Sequence, residues 1–157
     1  MLEKKTLALG CVSTGRAFEA GGRGFESLWA RLTDAEFLSA VEGCTLEGEF
    51  SHRLHLRLAW ILVRRLGPEA ALDRIRADIR RFALSRGATT MYHETITRFW
   101  VRQVALAVER FGGGDFDAFL TASPQLARRE LLFEFYDRET LATDAARTGW
   151  VPEGKQA

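Results

Sequence analysis

The chain has 157 residues, 46% of them apolar and 27% charged, ordinary globular proportions that exclude a disordered or fibrous polypeptide and suit one domain better than two. Its 22 basic and 21 acidic side chains leave a formal charge of +1, so no global field points to nucleic acid or to a membrane surface. Two cysteines, Cys11 and Cys44, are too few for a disulfide scaffold and fit no zinc-knuckle spacing, and a reducing cytoplasm is the expectation.

Residues 1–28 are punctuated by Gly10, Gly15, Gly21, Gly22 and Gly24 and carry no period of 2 or 3.6, so they read as a loop-like or disordered leader. Lys4 and Lys5 precede an apolar stretch well short of the ~7 to 15 residues of a secretory core. The run Arg23-Gly24-Phe25-Glu26-Ser27 reads like a translated T-arm of a transfer-RNA gene, and the expectation is that the native start lies near Leu28. A single helical domain is expected over 29–152, with 153–157 as a tail.

Helical punctuation begins at Thr33-x-x-Glu36, a capping box followed by Phe37, Leu38 and Val41 and closed by Gly43, which predicts a helix over 34–42. Ser51 caps a second helix running through Leu66 to Gly67, and Pro68 starts a third that continues to Arg86 with Gly87 as its stop. Thr89 or Thr90 is expected to cap a long helix over about 91–110, ended by Gly112-Gly113-Gly114. Asp115 to Leu120 and, behind Ser123, Pro124 to about Tyr136 make two shorter helices, and the chain from Gly149 reads as loop. No strand pairing and no internal repeat are evident. The fold class is all-α, a compact single-domain bundle of five to seven helices. The longest apolar run, Leu58 to Val63, is far short of the ~18 residues of a membrane span.

The three histidines fall in two segments, Phe50-Ser51-His52-Arg53-Leu54-His55-Leu56 and Tyr92-His93-Glu94-Thr95. At 100° per residue, Arg53, Arg57 and Arg64 mark the wet side of the first helix, and His52 and His55 fall away from it. On the long helix Arg98, Arg102 and Glu109 face water, and His93, Thr97, Trp100, Val104 and Ala107 face inward. Buried imidazoles require hydrogen-bond partners or a metal. The i,i+3 pair His52 and His55, closed by His93 from another helix, is expected to surround one divalent transition metal, iron or zinc, with an open position for chemistry. Glu49 makes a single Glu-x-x-His unit with His52, where a di-iron bundle needs two, so it is an added candidate ligand of a mononuclear site. Glu94 is the candidate acid, base or supporting acceptor, and Tyr92 an orienting hydrogen bond. Two alternatives stand beside it: a metal-free histidine and glutamate acid/base site, and one that spends all three rings on structural hydrogen bonds.

These same segments, with Leu32-Thr33-Asp34-Ala35-Glu36-Phe37, Phe50-x-His52-x-x-His55-Leu56-x-Leu58-Ala59-Trp60 and Tyr92-His93-Glu94-Thr95-Ile96-Thr97-Arg98-Phe99-Trp100, resemble a widespread group of small all-helical bacterial proteins without an established activity. The resemblance covers about residues 32–152. It implies that the segments form one unit and implies no substrate.

Residues 53–86 hold nine arginines against three acids, and 115–144 hold seven acids against three arginines. A solvated face is the plain reading; an anionic substrate or a second copy of the chain is the functional one. No interleaved aromatics or recognition motif accompany the arginines, so nucleic acid is not expected. The favoured function is a metal-dependent enzyme acting on a small molecule; the alternative is a non-catalytic helical binding or interaction module whose histidines are structural.

Overall fold

The structure, a computed structural model, describes residues 28–154 and, ahead of them, two short strands, β1 (Leu7–Ala8) and β2 (Cys11–Val12). The strands pair antiparallel, Leu7 opposite Val12 and Ala8 opposite Cys11, a ladder the loop-like reading of the leader did not include. The remainder of residues 1–27, and with it the expected start near Leu28, lies outside the described residues, as do residues 155–157 of the tail.

From 28 onward the fold is all-α. Helix α1 (Asp34–Glu42) starts at the expected capping box: Thr33 Oγ1 accepts the Glu36 N–H at 3.2 Å, and the Glu36 carboxylate accepts the Thr33 N–H at 2.8 Å. Helix α2 (His52–Leu66) is capped by Ser51, whose hydroxyl accepts the Leu54 N–H at 3.4 Å. A single residue, Gly67, turns the chain into α3 (Pro68–Ser85).

Gly67 sits at φ 81 and ψ 165, a region open essentially to glycine alone. A Cβ there would meet nothing within 4 Å, so the constraint is the backbone and not space. Gly67→Ala is expected to cost about 1–3 kcal/mol of stability, read as a lowered urea midpoint with an unchanged m-value.

Helix α4 (Glu94–Phe111) follows, three residues later than expected and capped by His93 in place of Thr89 or Thr90. Helix α5 (Phe116–Ala122) is capped by Asp115, which accepts the Ala118 N–H at 2.8 Å. The single helix expected over 124–136 is instead two 3₁₀ turns, Pro124–Ala127 and Arg129–Leu131, and a short α6 (Leu132–Phe135). The reason is register. Leu126 and Leu131 are both buried, and one continuous helix would set them about 140° apart, whereas the extended Arg128 between the turns re-aims the second inward. Helices α7 (Arg138–Leu141) and α8 (Asp144–Thr148) complete the chain.

Helix α2 forms the axis of the bundle: every side chain from Leu54 to Val63 is buried, as expected of a helix covered on all sides. Helices α3 and α4 pack against it, and the C-terminal turns close over one end. The inward face expected of α4 is confirmed, with Thr97, Trp100, Val104 and Ala107 all buried. The chain from Gly149 has no regular structure yet is pinned. Thr95 Oγ1 donates to Gly149 O at 2.8 Å and accepts the Val151 N–H at 3.1 Å, and Tyr136 donates to Val151 O at 2.9 Å. Among the described residues no helix is long and apolar enough to cross a membrane.

Candidate functional site

All three imidazoles are buried as expected, and each has one ring nitrogen on a main-chain carbonyl at 2.8 Å: His52 Nε2 on Leu126, His55 Nδ1 on Ser51, and His93 Nε2 on Leu141. A carbonyl oxygen only accepts, so these nitrogens carry the protons and the tautomer of every ring is fixed. The other nitrogen of each ring is therefore a bare lone pair. His93 uses its own to cap α4, Nδ1 accepting the Ile96 N–H at 3.3 Å. His52 Nδ1 and His55 Nε2 are buried and have no hydrogen-bond partner.

The three rings do not assemble as the sequence led us to expect. His52 and His55 lie one turn apart on α2, the first with its ring against Trp100 at 4.5 Å and the second against Phe50 at 4.2 Å. His93 stands at the mouth of α4 because a cap precedes its helix, and it reaches toward α7. Among the described residues no three His, Cys, Asp or Glu side chains are grouped to hold a metal ion. Burial lowers the pKa of His52 to about 4, against the Leu126 bond, and the nearby Arg129 adds to the fall. Burial likewise lowers that of His55 to about 3, and that of His93 moves the same way. All three are neutral near pH 7.

Glu49 is exposed and lies ahead of α2. Glu94 is buried but belongs to a separate cluster. Arg76 of α3 donates from Nε to both carboxylate oxygens at 3.0 Å and from Nη2 to Oε1, and Tyr92 donates to Oε2 at 2.6 Å. Burial pushes the Glu94 carboxyl up, and the bonds from Arg76 and Tyr92 pull it down further, leaving it below the ordinary carboxylate value. Burial and the Glu94 carboxylate hold the Tyr92 phenol well above its usual range, and Arg80 lies over its ring at 4.4 Å.

Of the nine arginines of 53–86 six are exposed and one, Arg57, is buried, and most of them are held by groups of the same chain. Asp78, 1% exposed, receives both Arg74 and Arg81; Arg76 also reaches Asp73; Arg86 gives to Leu46 O and lies over Phe82. Arg57, expected on the wet side, is buried: it donates to Trp29 O and Leu32 O at 2.6 Å and to Asp34 at 3.3 Å, and lies over Phe37. It ties the segment ahead of α1 onto the central helix. No local signal in the sequence distinguishes Arg57 from Arg53, because the carbonyls that hold it come from 28 and 25 residues away. Arg53 and Arg64 remain exposed on either side of it, at a cleft of about 450 Å³ between α2, the chain ahead of α1 and the start of α5.

No protein-family model, curated protein or solved structure matches this chain.

Proposed function

We propose that the protein is a non-catalytic helical binding module in which the three histidines serve packing and the arginine-bearing surface meets an acidic partner. The carrying observation is that all three imidazole N–H groups are spent on main-chain carbonyls, two of them 74 and 48 residues distant in sequence. Such bonds clamp the C-terminal turns to α2 and α4. Glu94, ionised and held by an arginine, is a weak base, and this also supports a structural role for the cluster.

One observation favours the other reading, a metal-dependent enzyme with iron or zinc. The lone pairs of His52 Nδ1 and His55 Nε2 are unclaimed, and an N–H donated to a carbonyl is also how metal-ligating histidines are oriented. On that reading His52 and His55 supply the nitrogens and His93 stays a cap.

Elemental analysis of the purified protein and of its His52→Ala, His55→Ala and His93→Ala variants separates the two. The binding-module reading expects no stoichiometric metal. It also expects His93→Ala to lose about 1–3 kcal/mol, partly restored in His93→Asn, whose side chain accepts the same N–H. Near-stoichiometric iron or zinc that disappears from folded His52→Ala and His55→Ala would overturn it.

A further inference from the structure

We infer that the outward face of α4 docks a second copy of this chain, laid antiparallel across it about a two-fold axis. None of the arginines of 53–86 lines this face, so it is separate from the surface offered to an acidic partner.

Arg98, Arg102, Leu106 and Glu109 follow one another along α4 at spacings of four, four and three, which makes them one stripe. They line a groove of about 380 Å³ between the start of α3 and the chain over 150–153. The groove leaves apolar surface open: Leu106 is 41% exposed, and Trp150 is 47% exposed even with the Arg98 guanidinium 5.1 Å over its ring. Charge along the stripe is sorted by sign. Arg102 is answered by Glu153 at 3.0 Å. Arg98, at one end, has no carboxylate partner among the described residues, and Glu109, at the other, has no cation, nor has Glu69 of α3 in the same groove. Arg98 and Glu109 are eleven residues apart, within about 20° around the helix and roughly 16 Å along it, too far to pair within one chain.

A face with a cation at one end and an anion at the other is complementary to its own reverse. Turned about a two-fold axis crossing α4 between Gln103 and Val104, two copies set Arg98 of each on Glu109 of the other, so both unanswered charges are met. A parallel pairing would set like charges together. A uniformly acidic partner would meet Glu69 and Glu109, and a basic one Arg98; a partner with both signs in reverse order fits, and this chain is one. The apolar residues follow the same reversal. Thr95, which pins the chain at Gly149 and Val151, and Leu106 are also eleven residues apart, along one edge of α4, so Leu106 of one copy is carried toward Trp150 of the other. An 18-residue helix, about 27 Å long and ~10 Å wide, offers less than the ~800 Å² per partner of a stable interface, so the dimer is expected to be weak.

Sedimentation equilibrium of the full chain from about 1 µM to about 1 mM is expected to show monomer and dimer, with a dissociation constant on the order of 10–100 µM that rises with salt. Arg98→Glu and Glu109→Arg are each expected to weaken association at least about tenfold, because each sets like charges together twice. Mixed in equal amounts the two variants should associate again, each supplying the sign the other lacks, and the double variant Arg98→Glu with Glu109→Arg should associate by itself. A variant that had merely misfolded would do neither. A chain that stays monomeric to about 1 mM overturns the inference. So does a dimer that either single reversal leaves unchanged, or one that the mixture or the double variant fails to restore.

Discussion

Acidifying the protein from pH 7 toward 4 is expected to unfold it. An imidazole in the unfolded chain takes up a proton near pH 6.5. His52 resists protonation in the fold until about pH 4, because of burial and then of Arg129, and His55 until about pH 3, chiefly because of burial. Between those limits the unfolded state binds more protons than the native one, so stability falls as the pH drops below about 6.5 and levels off only below the folded values. Each ring contributes about 1.4 kcal/mol per pH unit over its window, so the pair costs roughly 3 kcal/mol per unit. Across two units that approaches the 5–15 kcal/mol on which a domain typically stands. His93 and the Glu94 carboxyl, both lowered, act in the same direction, Glu94 only below its ordinary value. Urea unfolding at half-unit steps from pH 7.5 to 4.5 measures the slope. His52→Gln and His55→Gln should each flatten it by about one proton, whatever they do to stability at neutral pH. A slope unchanged in both would show that the rings are not buried neutral.

The histidines also mark what could be read ahead of the structure and what could not. Their inward direction was legible because α2 and α4 keep a steady 100° period over 15 and 18 residues. So were the starts of α1, α2 and α3, each announced by a residue whose chemistry is local: Thr33 with Glu36, Ser51, and Pro68 behind Gly67. Where the determinant is distant, the reading failed. An imidazole is as able to cap a helix as to sit within it, and His93 is placed at the cap by Leu141, 48 residues on. The break at Arg128 exists because Leu126 and Leu131 must both reach the core, a demand set by the helices already packed there. Arg57 shares its helix face with exposed arginines and is buried only because the chain before α1 folds over it. Charge counts misled for the same reason: the sequence lists the arginines of α3 beside one another, while Glu42 and Glu94, which answer two of them, come from α1 and α4.

Truncating Glu94 is expected to be the most damaging change to the packing of α3 against α4. The residue is 6% exposed, and its carboxylate collects three bonds from Arg76 and one from Tyr92. Glu94→Ala strands the phenol and leaves the guanidinium with the exposed Asp73 alone, where abandoning a fully buried charge commonly costs 3–5 kcal/mol. The Arg76 side chain is 26% exposed, so water reaches part of it and about 3 kcal/mol is the better expectation. Glu94→Gln keeps an acceptor for Tyr92 and the shape of the side chain, and about half that loss should follow. Arg76→Met acts through the other partner: it leaves the carboxylate buried with Tyr92 alone, so the Glu94 pKa should rise and the variant should become more stable as the pH falls through it, opposite in sign to the histidine effect. The double variant Glu94→Ala with Arg76→Met removes both charges and should recover a large part of the loss, because no unpaired ion remains. Urea unfolding of the four proteins closes the cycle. If the two single losses simply add, the pair is not coupled and the surrounding packing, not the ion pair, holds α3 to α4.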